Sequence, residues 1–178
     1  MAEHLPQAQW TQRADLAALV EAIGPGDIRW VGGAVRDGLL GLPVNDLDIA
    51  TSLMPQDVVD RLKAAGIKAV PTGIEHGTVT AVANGKPFEI TTLRRDVETD
   101  GRHATVAFTD DWLSDAARRD FTFNAMFCDA DGTLYDPFDG AADLAAARRS
   151  ILGSLEIAPG YPAAQELLLV IIGSEETS

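Results

Sequence analysis

Val31-Gly32-Gly33-Ala34-Val35-Arg36-Asp37, followed by Asn45-Asp46-Leu47-Asp48-Ile49-Ala50, decides how this chain folds. Ile28 to Val31 reads as a short strand running into the glycine pair. A helix from Ala34 to Leu40 starts there, and Gly41 ends it. Asp46 to Thr51 reads as the second strand. A strand that turns through glycines into a helix presents backbone N–H groups at a helix N-terminus, which favours anions. The spacing is not the Gly-x-Gly-x-x-Gly of a dinucleotide fold, and no Gly-Lys-Ser/Thr follows to make a P-loop. Gly32 and Gly33 fit either phosphate contact or a simple tight turn. Arg36 fits a phosphate contact or an ion pair with Asp37 or Asp46.

Residues two apart on a strand share a face. Asp46 and Asp48 would then stand side by side, with Leu47 and Ile49 in the core. Like charges at that distance repel, and a divalent cation relieves the repulsion. An oxygen-only donor set suits Mg²⁺, which keeps waters and phosphate oxygens as its other ligands. A solvated strand edge is the plainer alternative. Glu89 lies in Phe88-Glu89-Ile90-Thr91, between two apolar strand residues, and would face the same sheet surface. Carboxylates sharing two metals ~4 Å apart would align a 3′ hydroxyl with an α-phosphate. The strand of Glu89 belongs to a hairpin: Thr78 to Ala83, then Asn84-Gly85, then Pro87 to Leu93, with Asn-Gly suited to a type I′ turn.

Elsewhere, Trp10 to Ile23 reads as a helix, and Pro55 to Ala65 as another, with Ser52 placed to cap it. Ile67 to Pro71 reads as a strand, Asp111 to Arg119 as a helix and Ala141 to Arg149 as an Ala-rich helix. Asn124 to Cys128 and Thr133 to Tyr135 flank the turn Ala130-Asp131-Gly132. Arg94 to Asp110 is polar and aperiodic, so it reads as a loop, of a length typical of lids and binding loops.

The chain has 178 residues and a net charge of −13. That is enough for one sizeable domain. It is an awkward charge for a protein that would grip RNA by itself. All 14 Lys and Arg lie between Arg13 and Arg149, with adjacent pairs at Arg94-Arg95, Arg118-Arg119 and Arg148-Arg149. Such local clusters can hold a triphosphate on an acidic protein. The single cysteine, Cys128, excludes an internal disulfide and a Cys-based zinc site, and fits a cytoplasmic location. The longest apolar run, Leu167 to Ile172, is far short of the ~20 residues of a membrane helix. His4, His76 and His103 form no motif.

Arg118-Arg119-Asp120-Phe121-Thr122-Phe123-Asn124-Ala125 places two guanidiniums, a carboxylate and an amide beside aromatic rings. It suits phosphate, ribose or base, or equally a helix C-terminus with Phe121 and Phe123 in the core. Together with Val31–Asp37, Asn45–Ala50, His76-Gly-Thr-Val-Thr80, Phe88-Glu-Ile-Thr-Thr-Leu-Arg94 and Asp136-Pro-Phe-Asp-Gly140, it resembles the class II tRNA nucleotidyltransferases, the family of bacterial CCA-adding enzymes and poly(A) polymerases. Six motifs occur in the family's order and cover roughly Ile28 to Leu152.

The resemblance implies an α/β (α+β) fold of the polymerase beta-like nucleotidyltransferase type, a short mixed sheet flanked by helices. It implies addition of CMP and AMP from CTP and ATP to the 3′ end of tRNA or another RNA, with no DNA and no membrane as partner. It implies Asp46 and Asp48 as ligands of catalytic Mg²⁺, with Glu89 as third carboxylate. Gly32, Gly33 and Arg36 would contact the triphosphate, and Arg118, Asp120 and Asn124 the incoming nucleotide. The loop Arg94 to Asp110 would be the family's flexible loop. The expected organisation is an N-terminal helix over 1–27, a nucleotidyltransferase head over 28–153 and a divergent or truncated tail over 154–178. The family's neck signature, Glu-Asp…Arg, is not found after Gly153. Three rival readings are a non-catalytic remnant that binds metal and nucleotide, a bacterial poly(A) polymerase, and a sugar-nucleotide transferase using Asp-x-Asp.

Overall fold

The computed structural model describes residues 4, 5, 13–44, 46–97 and 105–157. Helix α1 (Ala14–Ile23) leads through Gly24 into β1 (Ile28–Val31), then α2 (Gly33–Leu40), β2 (Asp48–Thr51) and α3 (Pro55–Ala64). Strands β3 (Lys68–Gly73), β4 (Thr78–Ala83) and β5 (Lys86–Thr92) follow. A two-stranded arm, β6 (Arg94–Val97) and β7 (Thr105–Phe108), precedes α4 (Trp112–Ala117). The short pair β8 (Phe127–Cys128) and β9 (Leu134–Tyr135) and helix α5 (Gly140–Ile157) complete the described chain.

Seven strands form one mixed sheet in the order β3-β4-β5-β2-β1-β8-β9. The β2–β5 pair is parallel and the others are antiparallel. The hairpin turn is as the Asn-Gly signal requires: Asn84 and Gly85 both take positive φ, 50° and 75°. Alternation then sorts the side chains. Ile28, Trp30, Ile49, Val79, Ala81 and Ile90 point to one face, where they bury against Leu16, Leu19 and Ile23 of α1 and Val58, Val59 and Leu62 of α3. The other face carries Val31, Ala50 and Phe127, in a smaller cluster under Trp112 and Ala116 of α4. Each large apolar side chain taken into such a core contributes about 1.5–3 kcal/mol, so the first face holds the fold together and the second stays partly open.

Several expectations change. Asp46 is not part of β2, which begins at Asp48. Ser52 does not cap α3. Its hydroxyl bonds Asp27, 2.9 Å away, and the cap position is Met54, with Pro55 opening the helix. The stretch Arg94 to Asp110 is not one structureless loop. Its two ends pair as β6 and β7, the Thr109 N–H donates to the Leu93 carbonyl at 2.9 Å, and the Phe108 ring lies against Gly77. Alternation within such short polar strands is too weak to read. Trp10, Asn45, residues 98–104 and residues 158–178 lie outside the described residues, and α5 runs through Gly153 to Ile157.

Cys128 is buried in β8, and burial pushes its thiol up to about 12. The thiolate is the reactive form. A disulfide reagent at pH 8 is therefore expected to leave the native protein unlabelled and to label one thiol in full after denaturation. Rapid labelling of the native chain would contradict this packing.

Candidate active site

The β2–β5 pairing positions the site. Ile49 is in register with Ile90, so one residue earlier Asp48 stands beside Glu89 on the neighbouring strand. Phe88 and Ile90 are buried and Glu89 between them is exposed, as the alternation predicts. Asp48 is likewise exposed beside buried Ile49. The two carboxylates therefore share the open face of the sheet. They lie on the rims of two neighbouring cavities.

The first cavity, of about 220 Å³, spreads over the sheet face under α4 and includes Thr91, Arg94, Asp115, Arg118 and Arg119. The second, of about 520 Å³, opens at the start of β2 and β5 and includes Arg13, Asp46 and Lys86. Asp46 thus meets Asp48 and Glu89 at this second opening, although it approaches as part of a connection and not of a strand. Arg13 is engaged there already: its guanidinium reaches Asp15 at 2.6 Å, stacks 5.5 Å from the Phe88 ring centroid and holds the Asp15 carboxyl below the usual carboxylate range.

Gly32 has φ +70°, which a Cβ would strain, and that Cβ would meet Asp48 Oδ2 at 3.5 Å and the Arg119 guanidinium at 3.9 Å. The glycine turn, Asp48 and Arg119 are therefore in one place. No side chain caps α2, so its first-turn N–H groups face this corner without an intrahelical partner. Arg36 takes the plainer of its two readings: it pairs with Asp37 at 2.8 Å and its guanidinium lies over Gly33.

The Arg118–Asn124 segment divides. Arg118 faces the first cavity and reaches Asp96 of the arm at 3.4 Å. Asp120 is exposed and lines neither cavity. Asn124 closes a 3-10 turn over Thr122–Asn124, and its buried Oδ1 accepts no hydrogen bond. Phe121 is 51% exposed and stacks on Phe123, so only Phe123 packs against the core. His76 is exposed and lines neither cavity.

Sequence reasoning missed the roles of Asp115, Arg119 and Arg94. Asp115, 3% exposed, accepts from Arg119 at 2.9 Å and from the Arg94 backbone N–H at 2.9 Å. It ties α4, the arm and Arg119 together. The i,i+4 spacing of Asp115 and Arg119 was a usable signal, whereas Arg94 beneath α4 had none. Charges in the first cavity balance: Asp48, Glu89 and Asp115 against Arg94, Arg118 and Arg119.

Asp48 and Glu89 make no ion pair with a described residue. Among the described residues, no three His, Cys, Asp or Glu side chains converge tightly enough to cage a metal by themselves. A magnesium ion is commonly held by one or two carboxylates, with water and substrate phosphate completing its shell. The adjacent, oxygen-only, solvent-facing pair fits that requirement.

Replacing Asp115 by Ala leaves Arg119 without its buried partner. Loss of about 2–3 kcal/mol is expected, measured as a lower urea midpoint at unchanged slope. An unchanged midpoint would show that Asp115 does not tie α4 down.

Comparison with known proteins agrees with this geometry. Residues 28–149 match the family described as the poly A polymerase head domain. The chain is 47% identical over 132 residues to the mitochondrial CCA tRNA nucleotidyltransferase 1 of Danio rerio, covering 74% of this chain and 31% of that protein. It is 41% identical over 155 residues to the CCA-adding enzyme of Leuconostoc citreum, covering 86% and 37%. Among solved structures, the Bacillus stearothermophilus CCA-adding enzyme in complex with CTP superposes with a TM-score of 0.60 at 41% identity, over 72% of this chain and 30% of that one. The chain thus spans about a third of the length of the proteins it matches. With the motifs, the mixed sheet and the match over 28–149 in agreement, this chain belongs to the poly(A) polymerase head domain family of nucleotidyltransferases.

Proposed function

We propose that the chain binds a nucleoside triphosphate and serves the transfer of its nucleotide to the 3′ end of an RNA, tRNA foremost. The observation that carries this is the strand register that sets Asp48 beside Glu89 on the rim of a cavity containing three arginines. The relatives named above support it: they are CCA tRNA nucleotidyltransferases and CCA-adding enzymes, and one solved neighbour, 31% identical with a TM-score of 0.53, is a tRNA nucleotidyltransferase complexed with a primer tRNA and an incoming ATP analog. No described helix is long and apolar enough to cross a membrane. Cytoplasmic location belongs to the proposal; the Danio rerio relative carries "mitochondrial" in its name.

In this reading the most highly charged reactant, the triphosphate, enters the arginine-bearing cavity. Arg119 and Arg118 neutralise its oxygens, and the first-turn N–H groups of α2 beyond Gly32 and Gly33 donate to them. Arg36 contributes by leaving Asp37 for phosphate, and Asn124 and Asp120 meet the sugar or base. Asp48, Asp46 and Glu89 would hold divalent metal, Mg²⁺ by donor chemistry. When bound, it polarises the α-phosphate and lowers the pKa of the attacking hydroxyl. The RNA 3′ hydroxyl gives up its proton to solvent water, its oxygen forms a bond to the α-phosphorus, the bond from that phosphorus to the α,β-bridging oxygen breaks, and pyrophosphate leaves with that electron pair.

A second reading is A-only addition, favoured by the description of the matched family as a poly(A) polymerase head domain. The phosphate-facing groups named above are the same for every base. Discrimination needs donors and acceptors matched to a base edge.

Calorimetric titration of ATP, CTP and GTP with Mg²⁺ tests the proposal. Binding that needs the metal, with affinities within a few-fold of one another, is expected. A tenfold preference, about 1.4 kcal/mol, would show that the head or the tail of this chain reads the base. Asp48→Ala should abolish the metal dependence while the fold persists, because removing a carboxylate relieves repulsion. In an RNA-extension assay Asp48→Ala and Glu89→Ala should each lower transfer by orders of magnitude, and near-normal transfer in either would remove that residue from the site.

A further inference from the structure

Helix α4 carries Asp115 and leads directly into Arg118 and Arg119, yet it has six residues. A helix that short has no stability of its own. Asp111 caps it by accepting from the Leu113 and Ser114 backbone N–H groups, which satisfies its start but does not attach it to the sheet. Attachment comes from Ala116 and Trp112 in the small cluster on the open face.

Trp112 is held on two sides. Its ring meets Phe127 edge-on, with centroids 5.2 Å apart. Its other contact is Arg29 of β1, whose guanidinium carbon lies 4.3 Å from the Trp112 ring and 3.7 Å from the Tyr135 ring of β9. Arg29 makes no ion pair with a described residue. Arg119 in turn lies 5.6 Å over the Phe127 ring. The contacts form one unbroken series: Tyr135, Arg29, Trp112, Phe127, Arg119, and from Arg119 to the corner of Gly32 and Asp48. It crosses the sheet from its β9 edge to the carboxylates.

We infer that Arg29 is a positioning residue for the triphosphate cavity: slotted between Tyr135 and Trp112, it fixes the first turn of α4 and through it the placement of Arg119 and Asp115. A planar guanidinium fills the gap between two rings in a way that an ammonium does not. Each cation–π contact is modest at an exposed site and stronger where water is excluded. Two contacts on one cation, both short, add to the cap, Ala116, the Trp112–Phe127 contact and the Asp115 bond to the Arg94 N–H, and among these Arg29 is what holds the outer side of Trp112. The inference rests on the proposed triphosphate site for its functional half.

The test combines amide hydrogen exchange of the ligand-free chain with calorimetric titration of Mg²⁺-ATP, on wild type, R29A, R119A, R29A/R119A and L113A. Leu113 lines a surface groove together with Arg29, Trp112 and Tyr135 and is 55% exposed, but stands outside the series. Well below the melting temperature, R29A should speed exchange of the Asp115, Arg119 and Arg94 amides about tenfold and leave β2 and β5 unchanged. L113A should match wild type. R29A should weaken Mg²⁺-ATP about fivefold, and R29A/R119A should bind no worse than R119A alone, since the two act as one unit. Unchanged exchange in R29A overturns the inference, as does equal acceleration in every strand, which marks a merely structural role. Additive losses in the double variant also overturn it. If wild type binds no Mg²⁺-ATP, the proposed function falls, and the exchange result alone decides whether Arg29 positions α4.

Discussion

The parallel pairing of β2 with β5 holds two like charges next to each other, and the rest of the molecule can be understood as what makes that tolerable. Asp48 and Glu89 sit one residue before the Ile49–Ile90 register pair. Their backbones are held one strand spacing apart, about 4.8 Å, which keeps the two side chains neighbours on one face. Repulsion at this distance would drive a pair of free strands away from each other. Here it is opposed by Ile49 and Ile90, both fully buried on the other face of the same strands, with α1 and α3 beneath them. The hydrophobic layer therefore fixes two carboxylates side by side, where the neighbouring arginines offset their charge and a cation could join them.

The opposite face shows the complementary device. It is covered only in part, by a six-residue helix, which leaves the carboxylates in water and brings three guanidiniums close to them. A chain with a net charge of −13 can present such a cavity because charge acts locally. Solvent and salt screen exposed charges beyond about 8–10 Å. The acidic residues of α1 and α3, helices packed on the buried face of the sheet, therefore matter little to an anion seated against Arg118 and Arg119 on the other. The Arg118–Asp96 contact extends this logic to the arm, joining β6 to the end of α4.

Local chemistry was legible where a residue type has one conformational use. Gly41 takes left-handed φ at the end of α2 as a helix stop should, and Asn84-Gly85 makes the hairpin turn. Alternation of apolar residues in β5 put Glu89 on the open face. The same reasoning failed where the polar pattern had several physical outcomes. Asp46 and Asp48 have strand spacing, but strand β2 starts only at Asp48. Ser52 had cap chemistry but found Asp27 instead. Arg94 to Asp110 lacks an apolar period because its paired ends form a narrow arm with little core to bury, so periodicity had nothing to report.

The sequence by itself determined most of the elements and the face on which Glu89 stands, because hydrophobic period and glycine or Asn-Gly turns act over a few residues. It determined the family too, through motifs kept in order along the chain. Only the tertiary structure decided the partners: that Arg36 turns to Asp37, that Arg119 reaches the corner of Gly32 and Asp48, that Asn124 keeps an unpaired oxygen, and that Arg29 lies between Trp112 and Tyr135. Arg29 and Trp112 are 83 positions apart in sequence. Long cationic side chains have many rotamers and several carboxylates or rings within reach, and the choice among them is made by strand order and packing, which no local pattern encodes.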